Sequence, residues 1–484
     1  METLTHHMFV VAFFVFLGYY VVLAVYYLIL GLVGFAVGHQ RGREDAGEDY
    51  RLLAASSFTL PVSVILPAHN EEAWIADSLQ SLLNLNYPEY ELVIVDDGST
   101  DRTLEILKER LELVAVHNPY TDLFQSGRIH GLFKSVRHPH VTVLSKATGQ
   151  KKAGAVNAGL NLARYKYVCV MDADTVLEPD ALMRVMAQVE KDPERIIGVG
   201  SYFGLVNGFE VENGRVVGKN FLRSPLVAYQ DLEYLRSFIG NRLSWSRWNA
   251  MPNIAGGFGV WRRDVLLEMG GFSAEVSCED IELTFRAHEY IALHREAGYK
   301  IVMLPYVVGW TEGPHTVRNL IGQRNRWHRA TIETTWRFRH MLCNPRYGTF
   351  GFVTVPYFFL YEVLGVFFEL GSIAVTILGF LTGVFDLKLL VGFLVFMTLF
   401  QAFTSLLPLV AFHREQKLFR PVEFCYLTFL SLVEFAAYRW IIVFSRITGT
   451  LDFFRGVRTY AGVPRERKNA TGTPAPAALQ PAKA

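Results

Sequence analysis

The chain has 484 residues, and 51% of them are hydrophobic, which is enough for two or three domains with a large buried core. Its formal net charge is +1, so no bulk electrostatic attraction favours binding to nucleic acid. The absence of C-x-x-C spacing argues against a disulfide framework and a zinc site. The cysteines are Cys169, Cys278, Cys343 and Cys425.

The N-terminal region predicts a transmembrane helix. No charged residue occurs from Met8 to Gly38, and this run exceeds the roughly 20 residues that span a bilayer. It is too long for the apolar part of a signal peptide, and no Lys or Arg precedes it. Arg41, Arg43 and Arg51 follow the run, so the positive-inside rule places the N-terminus outside and the next domain in the cytoplasm.

Short apolar strands alternate with helical patterns between Phe58 and about Tyr347. The strands are predicted at Val62–Leu66, Leu92–Val95, Val141–Leu144 and Tyr167–Met171, and the helices at Glu71–Leu83, from Asp101, and at Ala153–Leu162. This alternation predicts an α/β domain whose mostly parallel sheet is covered by helices on both faces. Ligands bind such sheets outside the carboxyl ends of the strands.

Polar turns follow three of these strands. "PAHNEE" follows the first, "DDGSTD" the second and "DADT" the fourth, so they are expected to meet at one edge of the sheet. This clustering favours a functional site over solvent-exposed turns, although Ser99, Thr100 and Asp101 also suit the start of the next helix. No glycine-rich phosphate loop of Walker or Rossmann type occurs, which argues against a kinase or a dehydrogenase.

The turn "DADT" has two interpretations. Asp172 and Asp174 stand one residue apart after a buried strand, and aspartate is a common turn former that bonds the local backbone. Alternatively, the two carboxylates hold Mg²⁺ or Mn²⁺, since these ions favour carboxylate oxygens and are often shared with substrate phosphates.

Three further apolar segments in the C-terminal third are each long enough to span a membrane. They are Phe350–Phe385, Leu389–Phe412 and Phe424–Phe444. Ionisable groups within such segments usually face a bundle interior or an aqueous path. The groups in question are Glu362, Glu369, Glu434 and Arg439.

The number of apolar segments and the positions of the basic residues predict conflicting membrane topologies. Three spans would place the tail outside, yet the loop "HREQKLFR" and the tail are both basic and favour the cytoplasm. The basic residues of the tail are Arg455, Arg458, Arg465, Arg467 and Lys468. We therefore expect one segment to be interfacial or re-entrant, and the first is favoured because glutamates interrupt it. The last residues are rich in Pro and Ala and are expected to be disordered.

Five motifs in order carry a family resemblance. The chain resembles the processive, membrane-embedded family 2 glycosyltransferases, such as poly-N-acetylglucosamine, hyaluronan, chitin and cellulose synthases. The matching stretches are "VSVILPAHNEE" with "ELVIVDDGSTDRT", then "GQKKAGAVNAGL", "VMDADT", "SCEDIELTFR" and "QRNRW". They run from about Pro61 to Trp327, and Cys278 departs from the family's usual Thr. The resemblance implies a nucleotide-diphosphosugar transferase fold of the GT-A type.

The resemblance implies roles for the donor-binding residues. Asp96 or Asp97 would accept a hydrogen bond from uracil, and the choice between the two stays open. Lys152 would neutralise phosphate, unless it is a solvated lysine at a helix start. Asp172 and Asp174 would hold Mg²⁺ or Mn²⁺ against the diphosphate of the donor, which is a Lewis-acid role.

The resemblance also implies roles at the acceptor. Asp280, which follows Glu279 in the substrate-binding block, would be the general base; the alternative is an ordinary acid in a helix first turn. The "QRNRW" motif supplies further substrate-binding residues: Gln323, Arg324, Arg326 and Trp327. Its arginines suit diphosphate oxygens. Its tryptophan suits a sugar ring, or alternatively a protein core or a membrane interface.

The resemblance implies inverting transfer of a sugar from a UDP-sugar to a growing polysaccharide, which is extruded across the membrane. UDP-GlcNAc is the first expectation for the donor and UDP-glucose the second. The alternatives are single-sugar transfer to a lipid-linked acceptor, and a catalytically inactive transport or scaffold protein. "QRNRW" argues against the first alternative, and intact Asp172, Asp174 and Asp280 argue against the second.

The expected organisation has five parts. They are an N-terminal transmembrane helix (1–40), a linker (41–57), a cytoplasmic glycosyltransferase domain (58–347), transmembrane and interfacial helices (348–447) and a basic tail (448–484). The expected partners are the UDP-sugar, the polysaccharide acceptor and membrane lipid, without nucleic acid; no protein partner is predicted. The expected location is a bacterial inner membrane, with the catalytic domain in the cytoplasm.

Overall fold

The structure is a computed structural model that describes residues 2–56, 59–117 and 120–457. The described chain divides into two compact units. The sheet unit contains residues 44–223 and 253–315, and the helical unit contains residues 2–43, 224–252 and 316–457. The division into five parts stays a prediction.

The regular elements are numbered in chain order. The strands are β1 Val62–Ala68, β2 Tyr90–Asp96, β3 Leu113–Ala115, β4 Ile129–Ser135, β5 Val141–Lys146, β6 Tyr167–Met171, β7 Thr175–Leu177, β8 Ile196–Leu205, β9 Glu210–Glu212, β10 Arg215–Gly218, β11 Phe258–Arg262 and β12 Lys300–Thr311. The α-helices are α1 Glu2–Gly47, α2 Tyr50–Ala55, α3 Ile75–Leu83, α4 Thr103–Leu111, α5 Lys151–Leu162, α6 Ala181–Val189, α7 Pro225–Leu235, α8 Leu243–Arg247, α9 Arg263–Glu268, α10 Glu279–Leu293, α11 Val317–Arg337, α12 Val355–Tyr357, α13 Gly365–Leu381, α14 Leu387–Gln416, α15 Pro421–Val433 and α16 Tyr438–Phe454. Short π-helical stretches cover Arg236–Arg242, Phe350–Thr354 and Phe358–Val363, and 3₁₀ turns cover Arg295–Ala297, Arg339–Met341 and Pro345–Tyr347.

The sheet unit is built around a ten-stranded mixed sheet with the order β3-β4-β5-β2-β1-β6-β11-β8-β12-β7. Its centre is parallel, since β1 pairs with β2 and β6, and β2 pairs with β5, all in the same direction. β4, β7 and β11 run antiparallel to their neighbours. The predicted α/β domain with a mostly parallel sheet is therefore confirmed, within a larger mixed sheet.

The central strands are buried because their sequences are almost entirely apolar. Every residue of β1 and β6 is buried, as parallel strands with both faces covered require. Helix α5 lies close against β1: a Cβ added at Gly159 would stand 2.5 Å from Cγ2 of Ile65. Ala68 is paired with Asp96 in the β1–β2 register, so the carboxyl ends of β1 and β2 meet at one edge.

The loop after β1 explains why α3 begins at Ile75, four residues later than predicted. The backbone N–H of Glu71 donates to the Thr103 hydroxyl at 2.8 Å, and that of Glu72 donates to the Asp101 carboxylate at 3.0 Å. These bonds tie the loop after β1 to the loop after β2. Asp101 also accepts from the backbone N–H of Thr103, the first residue of α4, although the N-cap itself is Arg102 and makes no side-chain cap bond.

The helical unit contains two helices that are long and apolar enough to cross a membrane. They are His6–Gly47 within α1, and α14. Two further helix pairs are bent: 350–363 with α13 by 49°, and α15 with α16 by 57°. If each bent pair is one span, the described residues contain four candidate spans.

The bends partly match the expectation of one re-entrant segment. The first C-terminal segment breaks directly after Glu362 and Val363, close to the glutamate thought to interrupt it. The third segment also breaks, between Val433 and Tyr438, so a second segment is bent besides the one that was favoured. The tail was predicted to begin at residue 448, but α16 continues to Phe454, so the first residues of that range are helical. Arg458, Arg465, Arg467 and Lys468 lie outside the described residues.

The ionisable groups of the helical unit are paired, as expected for charges among apolar helices. Arg439 on α16 donates to Glu369 on α13 at 2.6 Å. Arg446 reaches Glu362 at 2.8 Å, and Arg236 reaches Glu434 at 3.1 Å.

Candidate active site

Polar side chains gather where β1, β2, β5 and β6 end. β2 and β6 flank β1, so their ends stand about two strand spacings, or about 10 Å, apart. Asp96 and Asp97 lie at the end of β2, Lys146 ends β5, and Asp172 directly follows β6. The sheet unit thus brings the predicted carboxylates at the ends of β2 and β6 to one edge, together with Lys146.

Asp96 is bound into the fold through both carboxylate oxygens. Its Oδ1 accepts the backbone N–H of Ser99 at 3.1 Å, and its Oδ2 accepts the Ser145 hydroxyl at 3.0 Å. The residue is only 2% exposed. These contacts fix the turn after β2, which positions the next residue.

Asp97 pairs with a buried lysine. The ammonium of Lys146 donates to Asp97 Oδ1 at 2.5 Å and to the backbone carbonyl of Ala147 at 2.8 Å. Asp97 Oδ2 has no hydrogen-bond partner within residues 2–56, 59–117 and 120–457. Of the two aspartates, Asp97 therefore has the carboxylate oxygen that remains available to a ligand.

The turn after β6 holds its two aspartates differently. Asp174 is 2% exposed, and its Oδ1 accepts the hydroxyl of Thr311, the last residue of β12, at 3.0 Å. The Asp172 side chain is 34% exposed, and its Oδ1 lies 2.5 Å from Lys152 Nζ. A purely local turn is therefore an incomplete description, because both carboxylates contact residues distant in sequence.

Lys152 on α5 connects Asp172, the candidate metal ligand, with the residues around Asp280, the candidate general base. Besides Asp172, its ammonium contacts Glu279 Oε1 at 3.2 Å and donates to the carbonyl of Gly256 at 2.9 Å. Burial lowers the pKa of Lys152, but the Asp172 and Glu279 carboxylates outweigh burial, so the pKa is raised and the side chain stays charged.

Asp280 lies at the start of α10 and shares Gly256 with Lys152. Its Oδ2 accepts the Gly256 N–H at 3.0 Å, and its Oδ1 accepts the N–H of Ile281 at 2.7 Å. The glycine permits this close approach, since a Cβ at Gly256 would lie 2.8 Å from Lys152 Nζ. Gly256 therefore contacts both Lys152 and Asp280 through its backbone.

The charge state of Asp280 follows from its surroundings. Burial and the neighbouring Glu279 carboxylate raise the pKa of Asp280, while the Lys152 ammonium and the N–H groups of Ile281 and Gly256 oppose the rise. The net result is a raised pKa. A raised pKa suits a carboxylate that takes up a proton during the reaction.

This raised pKa gives the first prediction. A general base must be unprotonated, so kcat should fall as the pH drops through the pKa of Asp280, which lies above that of an ordinary aspartate. Glu279→Gln removes a charge that raises this pKa, so the acidic limb should move to lower pH. A pH profile of both proteins tests this, with Glu289→Gln, further along α10, as the control. An unmoved limb in Glu279→Gln would contradict the base role.

The donor set at the end of β6 is suited to a shared divalent ion. No group of three or more His, Cys, Asp or Glu side chains placed for a metal occurs in the described part of the chain. Asp172 and Asp174 nevertheless supply carboxylates on one turn, and Mg²⁺ or Mn²⁺ is often bound by one or two carboxylates plus substrate phosphates and water. The residues therefore fit an ion whose remaining ligands come with the substrate.

The "QRNRW" residues lie on α11 in the helical unit, not in the sheet unit. Arg324 is buried and donates to Glu233 at 2.8 Å, while its guanidinium stands 4.1 Å from the centre of the Trp327 ring. Arg324 also donates to Gln323. In this state Arg324 is held by a carboxylate of its own unit; the predicted substrate roles of Gln323, Arg324, Arg326 and Trp327 stay predictions.

Two contributors to the site were not predicted from the sequence. Lys146 could have been predicted from the sequence, because a lysine that ends the buried strand β5 belongs to the same sheet edge as Asp97. Thr311 could not, since it approaches Asp174 only through the pairing of β12 with β7.

Comparisons with known proteins relate part of the chain to glycosyltransferases. The family model described as Glycosyl transferase family 2 matches residues 63–296. A poly-beta-1,6-N-acetyl-D-glucosamine synthase from Staphylococcus epidermidis is 29% identical over 280 residues, which cover 57% of this chain and 56% of the relative. The chain thus matches little more than half the length of that synthase. "Probable glycosyltransferase YdaM" from Bacillus subtilis strain 168 is 27% identical over 335 residues, 69% of each chain.

A solved structure supports the fold. The mannosyltransferase PcManGT from Pyrobaculum calidifontis, determined in complex with GDP-Man and Mn²⁺, superposes with a TM-score of 0.50 and 17% identity. The superposition covers 89% of this chain and 97% of that one. At this identity the likeness concerns the GT-A type of fold alone.

Proposed function

Residues 63–296 form a glycosyltransferase family 2 domain, and from this premise we propose that the chain is an inverting polysaccharide synthase that uses a UDP-sugar. The preferred donor is UDP-GlcNAc, with UDP-glucose second, because the synthase relatives make a polymer of N-acetylglucosamine. The growing polymer leaves through the helical unit, and the domain works on the cytoplasmic side of a bacterial inner membrane.

One observation carries the proposal. Lys152 contacts Asp172, the candidate metal ligand, and Glu279, the neighbour of Asp280. It also donates to the carbonyl of Gly256, whose N–H donates to Asp280. In a direct displacement the acceptor hydroxyl attacks the anomeric carbon of the donor sugar while the diphosphate leaves from the opposite side, so the groups that bind the diphosphate and the hydroxyl must stand close together. A network that joins the two candidate groups through one lysine supports such a reaction.

The chain's own residues then have distinct tasks. Asp97 accepts the imide N–H of uracil, Lys152 faces donor phosphate once Asp172 turns to its ligand, and Asp280 takes the proton of the acceptor hydroxyl. Asp172 and Asp174 hold Mg²⁺ or Mn²⁺, which when bound stabilises negative charge on the leaving diphosphate. Attack opposite to the leaving group inverts the configuration of the transferred sugar.

The function is tested by measuring UDP release and product size with the purified full chain, Mn²⁺ and a panel of UDP-sugars. We expect UDP-GlcNAc to exceed the non-preferred donors by at least about tenfold and to give long polymer. A single sugar added to a lipid-linked acceptor would favour the first alternative. Absence of turnover with every donor, from folded protein, would favour the inactive scaffold.

Trp327 gives the second prediction. Stacking on a sugar ring needs a flat aromatic face, so Trp327→Ala should slow elongation by about tenfold and Trp327→Phe by much less. UDP affinity should be unchanged in both variants, because the indole carries no charge for the diphosphate. The Phe variant also keeps a ring beside Arg324, which controls for loss of that contact. Polymer of normal length and rate from folded Trp327→Ala would place the acceptor platform elsewhere.

A further inference from the structure

Lys146 is a buried lysine to which the proposed reaction gives no task. Its side chain is 1% exposed, and its ammonium contacts Asp97 Oδ1 and the Ala147 carbonyl. Burying an ammonium is costly unless a partner neutralises it. Because Lys146 is enclosed, it acts on a ligand only through Asp97.

The neighbouring aspartate shows what the lysine adds. Both oxygens of Asp96 are held, by the Ser99 N–H and the Ser145 hydroxyl. Asp97 is held at one oxygen only, and within the described residues its Oδ2 contacts no donor. The β5 residues Ser145 and Lys146 thus fix two adjacent carboxylates in different ways.

We propose that Lys146 is a positioning residue that sets base selection: by holding Oδ1, it fixes Oδ2 of Asp97 as the atom that faces the base. This inference rests on the proposed function, in which Asp97 contacts the base. An ionised carboxylate oxygen only accepts hydrogen bonds. It therefore matches the N3–H of uracil and opposes the bare N3 of cytosine, which is itself an acceptor.

The variant Asp97→Asn tests this role of Lys146, because an amide has a hydrogen-bond acceptor at one end and a donor at the other. Lys146 only donates, so it binds the amide oxygen and turns the NH₂ group toward the base. That NH₂ group opposes uracil N3–H and donates to cytosine N3. Without Lys146 the amide can turn over, and its oxygen again accepts from uracil.

The test measures the affinities of UDP and CDP by calorimetry for four full-length proteins in the presence of Mn²⁺. The wild type should prefer UDP, and Asp97→Asn should prefer CDP, with UDP affinity reduced about a hundredfold. The double variant Lys146→Met/Asp97→Asn should lose the preference for CDP. Lys146→Met alone should weaken UDP binding about tenfold, as an unanchored carboxylate loses one well-oriented hydrogen bond.

Ser145→Ala is the matched control, since it removes a partner of Asp96 one residue away on the same strand and should keep the UDP-to-CDP ratio. Thermal unfolding identifies variants that lose the fold. Asp97→Asn keeps an acceptor for Lys146 and is isosteric, so it tests the proposal even if Lys146→Met unfolds. A continued preference of folded Asp97→Asn for UDP over CDP would overturn the role of Lys146. A wild-type protein that binds neither nucleotide would instead overturn the proposed function.

Discussion

Asp280→Asn should reduce sugar transfer by about 10²- to 10⁴-fold while leaving UDP affinity within about twofold of the wild type. The amide oxygen can still accept the Gly256 N–H, so the loop between α8 and β11 retains its contact to α10, while the NH₂ group replaces the oxygen that accepts the Ile281 N–H. The amide cannot accept the proton of the acceptor hydroxyl, and this loss should dominate the effect on turnover. Polymer formation from radiolabelled donor and UDP calorimetry measure the two effects separately.

Thr284→Val is the matched control for a purely structural role of this region. The Thr284 hydroxyl donates to the Asp280 carbonyl and accepts the Ile254 N–H, so valine disturbs the same contacts without removing a carboxylate. We expect lower thermal stability but nearly normal turnover per folded molecule. If Asp280→Asn turned over as fast as Thr284→Val, Asp280 would be an ordinary helix-start acid.

Asp174→Asn should remove the gain in UDP affinity that Mn²⁺ provides, and should lower turnover by more than about a hundredfold. Thr311→Val is the matched control, because it deletes a hydrogen bond to Asp174 Oδ1 but keeps the carboxylate. Loss of such a supporting contact typically costs about 10- to 100-fold in metal affinity, so turnover should recover at higher Mn²⁺. Full activity of the wild type in EDTA would refute the metal assignment.

The sheet and its loops were predictable because their signals are local. The apolar sequences of β1, β2 and β6 predict buried parallel strands, and strand direction alone brings the turns after them together. The register also places Asp96 and Asp97 beside the end of β1. The sequence around Asp96 and Asp97 does not show which carboxylate keeps an available oxygen, because that depends on Ser145 and Lys146 on another strand.

The helical unit was less predictable, because hydropathy records length and composition but not the path of the helix axis. Apolar runs predicted the spans, yet α15 and α16 bend at Glu434, whose carboxylate binds Arg236 and Ser405 from distant parts of the chain. The motif likewise predicts that Arg324 binds phosphate, whereas in the structure Arg324 contacts Glu233, and this contact arises from packing. Such pairings depend on tertiary structure that no short window contains.

The pairing of Glu369 with Arg439 has a consequence for biogenesis. The two residues are 70 positions apart, so at about 5–20 residues per second a ribosome completes Arg439 about 4–14 s after Glu369. A lone carboxylate within an apolar helix disfavours insertion by about 2.5–3.5 kcal/mol. In a membrane, α13 thus gains its counter-charge only after α16 has been synthesised, and until then its insertion carries the cost of an unpaired carboxylate.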